Sequence, residues 1–113
     1  MDEGRNELSC VFQNENVLFL SFMPFVKDGG LFVRTKESYQ LDDPVTLLLT
    51  FFEEPEIHRV EGRVVWITPK GAQGNKMAGI GVQFLSENKR QMCNKIETYL
   101  AGMLKSTQLT DTI

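Results

Sequence analysis

Leu8, Cys10 and Phe12 alternate with Ser9, Val11 and Gln13, the period of a strand with one face towards a core, and the polar run Asn14-Glu15-Asn16 ends it. Residues 17–23 then read apolar on every side. Such a run fits a buried strand or a short helix equally, and Pro24 pulls only Met23 towards extended backbone. Asp28-Gly29-Gly30 is a turn signal, and the strand formers of residues 31–35 follow it. Residues 39–44 carry the next turn. In residues 45–52, Val45, Leu47, Leu49 and Phe51 share one strand face and Thr46, Leu48, Thr50 and Phe52 the other. Both faces are partly apolar, so something is expected to cover the second.

Past the acidic turn Glu53-Glu54-Pro55-Glu56, residues 57–68 alternate well, with Arg59, Glu61 and Arg63 on one face and Val60 and Val64 on the other. Trp66 shares the parity of Val60 and Val64. Residues 69–75 make a Pro- and Gly-containing loop. Residues 78–84 form a further strand with Ile80, Val82 and Phe84 inward, Gly79 and Gly81 leaving room for a crossing backbone. From about residue 88 to 104 the period changes: Met92, Ile96, Tyr99, Leu100 and Met103 define the apolar face of a helix, with Ser86 as its N-cap. The polar stretch 105–113 has no apolar face to bury and reads as a mobile tail. The order predicts an all-β domain with one helix, a small antiparallel barrel with the helix on its surface or mouth. The domain is bounded at residues 8–104, between tails at 1–7 and 105–113.

At 113 residues the chain has room for one core. Its charge of −3 comes from acidic and basic residues mixed along the sequence, so no field gathers a polyanion; nucleic acid and direct membrane insertion are not expected. The longest apolar run, residues 17–25, is broken by Ser21 and Pro24 and falls far short of the roughly 20 residues of a spanning helix. The acidic start Met1-Asp2-Glu3-Gly4 lacks the positive region of a secretory signal, which places the expected product in the cytoplasm. Cys10 and Cys93 match neither a zinc spacing nor a disulfide framework and are read as reduced thiols.

Candidate chemistry is thin. His58, the only histidine, has no serine, cysteine or carboxylate at catalytic spacing and is read as a solvated strand residue. Asp42-Asp43 and Glu53-Glu54 sit at turn tips, where water keeps two carboxyl groups alike, and acid–base work needs their pKa values separated. Gly71-Ala72-Gln73-Gly74-Asn75 is followed by a strand and not by the helix a phosphate loop opens. Neither thiol has a neighbouring base. No catalytic residue, metal ligand or cofactor-binding residue is assigned, and the chain is read as no enzyme. Phe22, Phe25, Phe32, Phe52 and Trp66 cannot all point inward without overfilling so small a domain, so some are expected to face a partner.

Ser21-Phe22-Met23-Pro24-Phe25-Val26-Lys27-Asp28-Gly29-Gly30-Leu31-Phe32-Val33 and the Trp66-containing block from Gly62 to Asn75 resemble the type IV pilus assembly branch of the PilZ-domain family. Residues 78–84 and 94–102 extend the likeness. It implies a barrel of six antiparallel strands plus a C-terminal helix, and a role in pilus assembly and twitching motility. It further implies an adaptor between the pilus extension ATPase PilB and FimX, a regulator with degenerate GGDEF and EAL domains, contacted through its EAL domain; the chain itself is read as a monomer.

Most members of the wider family bind cyclic di-GMP through Arg-x-x-x-Arg and Asp/Asn-x-Ser-x-x-Gly, in which paired guanidinium groups grip phosphate and stack on guanine. Here the residue four after Arg5 is Ser9, Phe25 stands at the acid position and Lys27 at the serine position, and only Gly30 is kept. The resemblance therefore implies an adaptor that has kept the barrel and lost the nucleotide, with no cofactor. Phe22, Phe25, Trp66 and Pro69 are its expected protein-binding residues. The alternative is a weak or altered cyclic di-GMP receptor built on Lys27, Arg34 and other basic residues.

Overall fold

The structure, a computed structural model, describes the backbone of residues 6–52, 54–69 and 78–111, and side chains as far as Gly102. Its elements are β1 (Glu7–Val11), α1 (Glu15–Ser21), β2 (Gly30–Arg34), β3 (Pro44–Thr50), β4 (Ile57–Thr68), β5 (Gly79–Phe84) and α2 (Lys89–Asp111).

The strands form one five-stranded sheet in the order β1-β3-β4-β5-β2. β3, β4, β5 and β2 pair antiparallel, whereas β1 lies parallel to β3. Among the described residues this gives five strands, one pairing parallel, and two helices, where six antiparallel strands and one helix were expected. The parallel pair follows from connectivity: α1 and β2 lie between β1 and β3 in the chain, and parallel strands need such a crossover.

The second helix comes from the aperiodic run. The Asn14 side chain accepts the Val17 N–H at 3.0 Å and so satisfies one of the donors that a helix start leaves orphaned. Phe22 N–H closes the other end on the Leu18 carbonyl at 2.9 Å. A local cap thus decides what hydrophobicity left open.

Alternation places the core as read. Val45, Leu47, Leu49, Val60, Val64, Ile80, Val82 and Phe84 are buried, and Met92, Ile96 and Leu100 of α2 pack into the same cluster. The outer face of β3 is half-buried, as its apolar content required. Met103 lies outside the described side chains.

Three expectations change. α2 runs on to Asp111, across most of the stretch read as a tail. The Ser86 hydroxyl accepts the Glu61 N–H at 3.2 Å and donates to Asn88, tying the helix start to β4; it does not cap. The space over Gly79 and Gly81 is taken by Phe32, Met23 and Trp66 side chains as well as by the neighbouring strand; a Cβ on Gly81 would come within 2.9 Å of Met23 Sδ and Trp66 Cβ. The 69–75 loop lies, apart from Pro69, outside the described residues.

Candidate functional site

Trp66 owes its position to an irregularity. β4 pairs with β5 in register through Val64↔Val82, then shifts so that Trp66 opposes Gly81, with Val65 as the extra residue of a β-bulge. A bulge inserts one position and so re-aims the side chains beyond it. Trp66 is therefore 55% exposed while Val60 and Val64, of the same parity, are buried, and its indole N–H donates to Thr68 Oγ1 at 2.9 Å.

The four expected protein-binding residues do not form one patch. Trp66 borders a groove of about 680 Å³ together with Ser9 and Val11 of β1, Leu20 of α1, and Phe32 and Arg34 of β2. Phe22 and Phe25 border a second, largely apolar groove of about 480 Å³ between α1 and α2, with Phe19, Pro24 and Leu100. Pro69 lines a third, smaller cavity beside Tyr39 and Ile80. Of the five aromatics singled out, Phe25 is 78% exposed, whereas Phe22, Phe32 and Phe52 are half-buried, Phe22 and Phe52 against the core cluster.

Helix α1 separates the two large grooves and supplies residues to both. Leu18 is its one fully buried residue; Val17, Phe19 and Leu20 stay exposed, Leu20 at 77%. Sequence reasoning did not single these out. The signal was present, because a two-turn helix apolar all round has more apolar surface than a single packing face can cover.

A polar cluster also departs from its reading. Glu54 and His58 were taken as solvated, yet the Glu54 carboxylate accepts from Lys95 Nζ at 2.6 Å, Tyr99 Oη at 2.6 Å and His58 Nε2 at 3.1 Å. Those hydrogen bonds, Lys95 first, pull the Glu54 carboxyl down to a pKa of about 2. Glu54, Glu56 and His58 bring ligand-type atoms within 4.8 Å of one another, but an ammonium already sits on Glu54. The arrangement fastens α2 to the turn after β3. Cys10 is buried and free, and desolvation pushes its thiol up to about 12; Cys93 is also free and its thiol is raised, by partial burial and then by Glu97.

The residues at the lost nucleotide motif do not converge either. Gly30 stays for packing, since a Cβ there would lie 2.7 Å from the Val82 carbonyl oxygen. Lys27 is exposed just ahead of β2, its carbonyl accepting from Gln83 Nε2 at 2.8 Å, while Arg34 ends that strand. Arg5 lies outside the described residues.

Residues 5–102 match the PilZ domain family, and the chain belongs to that family. Its domains are generally non-enzymatic binding domains of cyclic di-GMP signalling, and a curled, mostly β fold agrees with them. No curated protein matches the chain. No helix among the described residues is long and apolar enough to cross a membrane.

Proposed function

We propose that this PilZ domain is an adaptor of type IV pilus biogenesis and twitching motility, linking the extension ATPase PilB to FimX through the FimX EAL domain, and that it does not itself bind cyclic di-GMP. The observation that carries the reading is Phe25. Where a receptor needs an acid, this chain puts an exposed aromatic on the rim of an apolar groove. An aromatic anchor beside a groove suits protein recognition, in which a few such residues dominate the binding energy. The two large grooves, one holding Phe22 and Phe25 and the other Trp66, give a linker two separate places to dock.

A nucleotide would find little here. Each missing charged hydrogen bond forfeits about 1.5–3 kcal/mol, and Lys27, ahead of β2, and Arg34, at the far end of that strand, make no guanidinium pair. Calorimetry of the full chain with cyclic di-GMP should give no saturable micromolar heat; such heat would favour the altered receptor. Co-purification with PilB and with the FimX EAL domain, each tested alone, should succeed for the native chain and weaken at least tenfold for Phe25→Ala with at least one of them. Failure of both captures overturns the adaptor reading.

A further inference from the structure

The two ends of the sheet order, β1 and β2, border the same groove. Their backbone registers say which groups face it. Thr35 N–H donates to Ala78 O and Phe84 N–H to Gly29 O, so by antiparallel alternation Leu31 and Val33 bond to β5, and the N–H and C=O groups of Phe32 and Arg34 point away from it. Phe12 N–H donates to Thr50 O, so Leu8 and Cys10 bond to β3 while those of Ser9 and Val11 point away. The start of the β2 edge is already met by the chain itself: Phe22 bridges Leu31 antiparallel, with Met23 N–H on Gly30 O and Phe32 N–H turned to Ser21 O, so among the described residues the groups of Ser9, Val11 and Arg34 are those left without a backbone partner. Tracing the pairings, β1 and β2 run in opposite directions, yet they do not pair with each other.

An unpaired strand edge is a template for another chain, and here two edges share one groove. A helix consumes its own backbone hydrogen bonds and offers none to an edge. An extended segment presents N–H and C=O on both sides and apolar side chains to Val11, Leu20 and Trp66, which are 62%, 77% and 55% exposed. Among the described residues the lining holds one ionic side chain, Arg34, and no carboxylate.

We propose that the groove between β1 and β2 takes an extended, apolar segment of a partner protein, carrying an acidic residue opposite Arg34, which adds to the sheet as a strand between the two edges. The segment pairs parallel with one edge and antiparallel with the other. The proposal rests on the adaptor reading and names what one of its two grooves recognises.

Hydrogen exchange on the full chain gives the first test. The amides of Ser9, Val11 and Arg34 should exchange fast in the free protein. Slow exchange there means that residues 1–5, another stretch of this chain, or a second copy already fills the groove, and the proposal fails; removal of residues 1–5 and dilution tell which. Linear heptapeptides are then selected from a displayed library on the full chain and resynthesised. Selected peptides should carry alternating apolar residues and an Asp or Glu, shift the emission of Trp66, the only tryptophan, and protect the three amides. Methylating alternate peptide nitrogens should weaken them at least tenfold, as should Arg34→Glu, with partial recovery for a Lys-containing peptide. Peptides that bind without protecting those amides, indifference to N-methylation, or no selected binder overturn the proposal. If it fails while PilB or the FimX EAL domain is still captured, the adaptor reading stands with docking at the α1–α2 groove; if neither is captured, both readings fall.

Discussion

Phe51, just past the end of β3, and Trp66, in β4, are both large aromatics, but Phe51 keeps 1% of its surface in contact with solvent and Trp66 keeps 55%. Phe51 is closed in by partners from distant parts of the chain. Phe12 stacks at 5.7 Å, Tyr99 at 5.5 Å and His58 lies tilted at 5.6 Å, while Lys95 reaches over the ring at 5.9 Å on its way to Glu54. Trp66 has Gly81 opposite, Thr68 on its N–H, and a groove. One side of the molecule has spent its aromatics on holding α2, and the other leaves them available for binding.

The sharpest way to break that contrast is truncation. Phe51→Ala should cost about 3–5 kcal/mol of folding stability, the range for a large buried aromatic, and Trp66→Ala about 1 kcal/mol or less. Denaturant midpoints of the two variants measure both; equal losses would mean that Trp66 is core after all. Next comes Glu54→Gln, which keeps the shape but loses charge-assisted hydrogen bonds. As the carboxylate is 24% exposed, a loss of about 1–2 kcal/mol at neutral pH is expected.

The same residue gives a pH dependence of known sign. Its folded pKa, about 2, lies below the 4.5 of a free glutamate carboxyl, so its contribution is present above about pH 4.5 and is lost as pH falls towards 2. Thermal melts between those limits should fall less steeply for Glu54→Gln than for the native chain. The smallest effect on folding belongs to Phe25→Ala, within about 0.5 kcal/mol by chemical denaturation. Its consequence should appear in partner capture instead, and a large loss of stability would move Phe25 out of the binding surface.

Much of the sheet was legible because alternation is a local signal: β4 was read at its observed ends, and the inward residues of β3 are the buried ones, whereas β5 is buried along its whole length, Gln83 included. α1 was not, since Val17 to Met23 has no period and a single Asn14 hydrogen bond decides it. The bulge at Val65 has no marker, being flanked by Val64 and Trp66 with neither glycine nor proline. Glu54 was misjudged for a different reason. Turn position implied water, whereas the partners that close over it, Lys95 and Tyr99, come from a helix far along the chain. Trp66 and Phe25 were rightly suspected of exposure, but only three-dimensional placement could assign them to different grooves.

The parallel pairing of β1 with β3 has a consequence for the order of assembly. Leu8 must find Leu47, a separation of 39 residues (47 minus 8), whereas Thr50 finds Ile57 only 7 residues on (57 minus 50). Closing the longer loop costs more entropy, and non-local pairings are the slow ones. The β3–β4 hairpin is thus expected to form early and to serve as the template on which β1 docks. During synthesis the first strand leaves the ribosome well before its partner and waits unpaired until about residue 50 has emerged. The edge that borders the Trp66 groove is, on this ordering, completed late, by the segment of the chain that was made first.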